Sequence, residues 1–357
     1  MMRHYNQLAI DYIENYSKER IEQATDIIDN ICEMSNISKS NLANTTRLIS
    51  DKARIAIHFH PYRLDSSSKS VLELLHQEGQ YKSQFETKIS NGSLTAYIGG
   101  KRDLWENVLF GQVFSSNNIG LSDRPKYGAL DLLGHFDGAS PRFGSCYFLL
   151  KPELTKYTTF CYLDSYANPK EKGTLRVFDD ILASLLSECF ERSFALGEHN
   201  IRPHQLLAKI NQNLNLEHRK PFDKIPSRNL NHYIEAQVHT SINLKDDVDY
   251  LVADSSFKNT EYEQKLEQLC HKYQIELAWY KGFELPSAEV PNHFRGSKMP
   301  MVAEQIAENG KINAYILGKA EKRYQQIIQD EKQLKIKLQE LKYLWHILVQ
   351  YGNLLNY

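Results

Sequence analysis

Three short segments carry polar, chemically able side chains where a strand facing a core would carry apolar ones. His58 and His60 stand in ARIAIHFHPYR, Glu86 in SQFETKISNG, and Glu235 with Gln237 in HYIEAQVHT. Such groups are rarely buried in strands unless they are paired or used. Residues two apart on a strand share a face, so His58 can cooperate with His60, and Glu235 with Gln237. A histidine pair can bind an anion, move a proton or hold a metal. A carboxylate beside an amide can hold the two hydroxyls of a ribose or position a nucleophile.

A metal at His58 and His60 would need further ligands. His76, His135, His232 and His239 are available in the sequence, but no spacing among them matches a zinc pattern, and no metal is expected. A metal-dependent hydrolase using His58, His60, Glu86 and a later histidine, and a non-catalytic helical interaction protein on a β scaffold, stay as alternatives. Pro61 ends the first strand, which sets His60 and Arg63 at an exit that a ligand can reach. Between Gly79 and Gly100 the Asn91-Gly92 pair is a turn signal. Such a turn can present backbone N–H groups to an amide or phosphate oxygen, although an ordinary hairpin turn explains it as well. Glu86, between Phe85 and Thr87 on an expected strand, requires a partner, for which Arg63 and Arg102 are candidates.

The elements that must position these residues read as helix, then a β-rich core, then helix. Isoleucines at helical spacing predict two helices within residues 1–50. The runs ARIAIHFH, SLTAYIG, SCYFLL, YTTFCYL and HYIEAQVH, bounded by Gly, Pro, Ser or Asp, predict strands. Helices are expected over Thr174–Arg192, over TEYEQKLEQLCHKYQ, and over one long final segment that meets no glycine until Gly352. KDDVDYLVADSSF reads as a turn into a helix, and the mixed-charge run EKQLKIKLQELK as a solvated helix face. The expected organisation is a helical cap over 1–52, a core over 53–300 and a helical extension over 301–357.

Composition narrows the class. The 357 residues include 24% charged side chains that nearly cancel, to a net charge of −1, so no nucleic-acid partner is expected. The five cysteines are odd in number and form no CxxC pair, which argues against a disulfide framework. No stretch approaches the roughly 20 apolar residues of a membrane span, so no membrane insertion is expected. MMRHYNQLAIDYIENYSKERIEQ lacks an apolar signal core, and the expected location is cytoplasmic, or secreted without a cleaved signal peptide.

The ordered blocks HFHPYR, QYKSQFETKISNGSLTAYIGGKRDLWE, RPKYGALDLL, SPRFGSCYFLL, YIEAQVHT and NHFRGSK carry a resemblance over roughly Ala53 to Gly296. They resemble a bacterial family catalogued as a domain of unknown function, which in turn looks like bacterial effectors that ADP-ribosylate ubiquitin on threonine. The resemblance implies an α+β protein whose core is an ADP-ribosyltransferase-like split β-sandwich with helical flanks. It also implies NAD as cofactor and a protein acceptor, with ubiquitin the one it offers. The first-strand position of such a core falls on His58, His60 or Arg63, the second-strand position on Thr87 or Ser90, and the late glutamate on Glu235. On this reading Glu235 steadies an oxocarbenium-like state and Gln237 stands beside it, although related transferases place their pair in another order. Glu86 would take the proton of an incoming hydroxyl. Asn91-Gly92 would grip the nicotinamide amide, and His60, Arg63 or Arg142 would meet the pyrophosphate.

Overall fold

The computed structural model describes residues 4–65, 67–89, 96–115, 119–216 and 230–355. Ser90, Asn91 and Gly92 lie outside them. The main sheet is built from β1 (Arg54–Phe59), β2 (Lys126–Asp131), β3 (Cys146–Leu150), β4 (Thr158–Tyr162), β5 (Lys172–Gly173), β6 (Ile234–Val238), β7 (Val248–Asp254) and β8 (Glu276–Tyr280). Its order is β8-β7-β3-β1-β2-β6-β4-β5, and every neighbouring pair is antiparallel except β7 with β8. The central strands are buried on both faces, which is why ARIAIHF and CYFLL read as nearly continuous apolar runs. Small two- and three-stranded sheets lie outside this one. The α+β class expected from sequence is what the chain adopts.

Helices cover the sheet. α1 (His4–Lys18), α2 (Ile21–Met34) and α3 (Lys39–Lys52) precede it. α4 (Val71–Glu78), α5 (Gln84–Thr87) and α6 (Lys101–Leu109) lie between β1 and β2. α7 (Asp179–Arg192) and α8 (Pro203–Leu214) follow β5, and α9 (Glu261–Tyr273) joins β7 to β8. α10 (Met299–Ile306), α11 (Ala314–Ile327) and α12 (Glu331–Tyr351) end the chain. α2 packs on α7 and α3 on α8, while α12 sends Leu344, Trp345 and Ile347 into the same core as Ile55, Ile57 and Phe148. Trp345 is among the largest fully buried side chains.

Several expectations are corrected. Residues 4–52 make three helices rather than two, because Ser38 accepts from the backbone N–H of Asn41 and starts α3 where an interruption was read. α7 starts at Asp179, five residues after Thr174, whose backbone instead closes a tight turn with Val177. VDYLVAD is strand β7, not the approach to a helix; its alternating Val248, Tyr250 and Val252 suit a pleat, and the helical turn is confined to Leu244–Asp247. The final helix is broken before Glu331, where the Asp330 carboxylate accepts from the backbone of Lys332 and Gln333. Ala96 and Tyr97, the described part of SLTAY, belong to no strand. Glu86 is on the short helix α5 rather than a strand, as the third residue of a capping box with Ser83.

No helix among the described residues is long and apolar enough to cross a membrane.

Candidate active site

Glu235 lies on β6 between β2 and β4, with Ala129 opposite it on one side and Cys161 on the other. Its carboxylate faces a cleft of about 280 Å³ above the sheet. β1 contributes His58, β2 contributes Tyr127 and Gly128, and the turns after β2 and β4 contribute Arg142 and Asp164. α6 adds Arg102 and Trp105, the loop before α10 adds Arg295, and α12 adds Gln339, Lys342, Tyr343 and His346. Gly128 is required here because a Cβ would come within 2.8 Å of the Ala56 carbonyl on the adjacent strand.

The cleft has a carboxylate end. Glu235 is 5% exposed, and its Oε1 accepts from Ser165 Oγ and from Gln237 Nε2, the latter over 3.0 Å. Burial, reinforced by Asp164, pushes its pKa up to about 7, against the pull of those hydrogen bonds and of Arg102. The carboxyl is therefore poised between its two forms near neutrality, as a general acid or base requires. Arg102 lines the same end, its guanidinium 4.7 Å from the Trp105 ring centre and 5.2 Å from that of Tyr127. Tyr127 is tied down in turn by donating to Glu106 over 2.8 Å.

The opposite wall is cationic. Arg142 donates to Asp164 over 2.5 Å and also to Asn231, which fixes it across the mouth. Arg295 stacks on Phe294 at 4.9 Å, and its buried Nε has no partner. Its backbone has φ = 64°, a left-handed conformation that costs a non-glycine residue free energy and clusters at working sites. Burial together with Arg63, Arg142 and Arg295 brings the Lys342 pKa down to about 7. His346 is held neutral, well below the usual histidine range, by burial and by Arg295 and Lys342, and neither ring nitrogen has a partner. Crowded cationic groups, with Arg295 Nε and the His346 ring lacking partners, are what an anionic ligand would satisfy.

The sequence candidates separate. Glu235, Arg142 and His58 meet in the cleft. Gln237 is on the same strand face but fully buried behind Glu235, where it contacts the carboxylate rather than the cleft. His58 is already engaged: Nδ1 is 3.3 Å from the Gly144 carbonyl and Nε2 accepts from the Ser140 N–H over 3.3 Å. Burial drives its pKa down to about 3, so it presents a neutral ring, packed against Tyr147. Gly138, at φ = 81°, lets the chain pass close, since a Cβ there would lie 2.5 Å from His58 Nε2.

The others lie elsewhere. His60 Nδ1 lies 3.0 Å from the Tyr62 hydroxyl and 3.3 Å from Ser145 Oγ, and Arg63 pairs at 3.7 Å with Glu321 of α11. His60, Glu86 and Thr87 line a second hollow of about 280 Å³ that shares only Tyr81 and Gln84 with the cleft. Among the described residues no three His, Cys, Asp or Glu side chains stand together as a metal set.

From sequence, Arg102 was named only as a partner for Glu86, and Trp105, Tyr127, Asp164, Ser165, Arg295, Lys342 and His346 were missed. The helical spacings Arg102/Trp105 and Lys342/His346, at i,i+3 and i,i+4, were the available signals. Lys342 closes the run read as a solvated face, and the correction is that Gln339 and Lys342 turn inward.

A search of curated proteins gives no match. A family model described as "Protein of unknown function (DUF3626)" matches residues 54–351, from β1 through α12, and the chain belongs to that family.

Proposed function

We propose that the cleft binds NAD and that the protein transfers ADP-ribose from it to a protein hydroxyl, with ubiquitin threonine the acceptor that the sequence resemblance offers. The ADP-ribosyltransferase-like split β-sandwich and the effector role belong to the same reading. One observation carries it: the buried carboxylate of Glu235, whose Oε1 takes the hydrogen bonds from Ser165 and Gln237, lines one cleft with the Lys342 ammonium and with Arg295 and His346, whose Nε and two ring nitrogens have no hydrogen-bond partner. A ribose bearing a pyrophosphate matches that pairing of one acceptor with several donors. The aromatic rings of Trp105, Tyr127 and Tyr343 offer flat faces to bases.

NAD supplies the glycosidic bond whose cleavage develops positive charge on ribose. Glu235, ionised, stabilises that charge and accepts from a ribose hydroxyl. Its pKa near 7 lets the same carboxylate receive the acceptor hydroxyl's proton as the new bond forms. Arg142, Arg295 and Lys342 hold the pyrophosphate, and Arg102 favours the ionised form of Glu235 against the effect of burial. Glu86 has no part in this step, since its carboxylate caps α5 at the neighbouring hollow.

The test is incubation of the full chain with biotin-labelled NAD and a cell lysate, beside Glu235→Ala. A labelled protein band present with wild type and absent with the variant supports transfer. NAD binding without any labelled product would leave a binding protein and end the enzymatic reading.

A further inference from the structure

Behind Glu235 runs a file of polar side chains away from the cleft, with the Cys161 thiol branching from it at Gln237. Gln237 Nε2 donates to Glu235 Oε1 over 3.0 Å. Thr159 Oγ1 lies 2.8 Å from Gln237 Oε1 and 2.9 Å from His239 Nε2. Thr159 on β4 is directly opposite Gln237 on β6, and Thr159, Gln237 and His239 are all 0% exposed. Phe110 meets the His239 ring edge-on at 5.1 Å and Phe114 stacks on it at 6.5 Å, while Asn6 of α1 donates to the His239 carbonyl.

The direction of this file follows from which atoms can donate. An ionised carboxylate only accepts, so Gln237 must turn its NH₂ to Glu235 and its carbonyl to Thr159. That carbonyl only accepts, so the one hydroxyl proton of Thr159 goes to it. His239 must then donate from Nε2, leaving Nδ1 as the nitrogen with a lone pair. Nδ1 is the His239 ring atom that lacks a partner. An unpaired acceptor is tolerated in a core better than an unpaired donor, so the remote end of the file agrees with the near end.

We propose that Thr159 and His239 are positioning residues for Glu235, acting through Gln237. His239 orients the Thr159 hydroxyl, the hydroxyl locks the amide of Gln237, and the amide occupies Oε1 so that Oε2 meets the ligand. Catalytic meaning rests on the reading of Glu235 given above, whereas the file itself can be measured without NAD. The other ionisable groups around Glu235 are Asp164, Arg102, Tyr127, Cys161 and Tyr233, and none is altered in the variants below.

The test is NMR on the full chain. With ¹⁵N-labelled histidine at pH 8.5, His239 of the wild type is expected as the Nε2–H tautomer; the Nδ1–H tautomer overturns the proposal and needs no variant to observe. With ¹³C-labelled glutamate, Thr159→Val is expected to raise the Glu235 titration midpoint by about half a unit or more, while Thr159→Ser keeps the wild-type midpoint. An unchanged midpoint in folded Thr159→Val, or a Thr159→Ser protein that titrates differently from wild type, also overturns it. Should Thr159→Val not fold, the tautomer and the serine variant decide. Absent NAD transfer with the expected tautomer and midpoints refutes the proposed function alone; the opposite tautomer with transfer intact refutes this inference alone.

Discussion

Trp345 of α12 donates its indole N–H to the carbonyl of Pro141 over 2.8 Å, which ties the last helix to the turn that carries Arg142. Both ends of this bond are buried, so the carbonyl has no water to fall back on. Trp345→Phe keeps most of the ring volume and removes the donor. It is expected to cost about 1–3 kcal/mol in chemical denaturation and to weaken NAD binding several-fold, because Arg142 and Lys342 lose their common reference. Unchanged stability and affinity would show that the bond is incidental.

Lys342 titrates near pH 7 because burial and three arginines oppose its charge. A bound pyrophosphate supplies the missing negative charge and raises that pKa, so binding at pH 8 draws a proton from solution. Calorimetry in two buffers of different ionisation heat is expected to show proton uptake with wild type and much less with Lys342→Met. His346, neutral far below that pH, adds little. Equal uptake by both proteins would place the phosphates elsewhere.

His58 is neutral when folded, with a pKa near 3, whereas the unfolded chain protonates it near 6.5. Below pH 6.5 the unfolded state therefore binds the extra proton, and the stability that His58 contributes is lost as pH falls from about 6.5 toward 3. Glu235 and Asp254 act in the opposite sense, their raised pKa values favouring the folded chain as acid is added. Comparing wild type with His58→Gln isolates the histidine. The stability advantage of wild type at pH 7 is expected to shrink by about 1.4 kcal/mol per pH unit below 6.5. An advantage independent of pH would mean that His58 takes up its proton as readily in the folded chain as in the unfolded one.

Glu86 accepts from the Ser83 N–H over 2.8 Å, and Ser83 Oγ accepts from the Glu86 N–H in return. Glu86→Gln retains a capping oxygen, and is expected to cost less than about 1 kcal/mol and leave nicotinamide release unaffected. A loss of activity of a hundredfold or more would return Glu86 to the chemistry.

The strands holding the site were legible because Ile55, Ile57, Phe148 and Ala236 recur with the β period and are bounded by turn residues. Glu235 stood out because a carboxylate between Ile234 and Ala236 contradicts a buried strand. Glu86 misled because neighbouring Phe85 suggested a strand, while the Ser83-x-x-Glu86 capping box was present in the same letters. The cationic wall was not legible. Arg142, Arg295 and Lys342 come from segments as much as 200 residues apart, and only the docking of α12 beside the Pro141 turn brings them into one cleft. Charge patterning along one helix cannot tell a solvated lysine from one turned into a neighbour's cleft.

The central claim is that Glu235 is the carboxylate that breaks the nicotinamide–ribose bond. Its most direct test is the rate of nicotinamide release from NAD by wild type and by Glu235→Gln, with NAD affinity measured in parallel. Glutamine keeps the shape and an oxygen that can accept from Ser165, so binding should persist while release falls by about a hundredfold or more. Release at the wild-type rate from the glutamine variant would contradict the account.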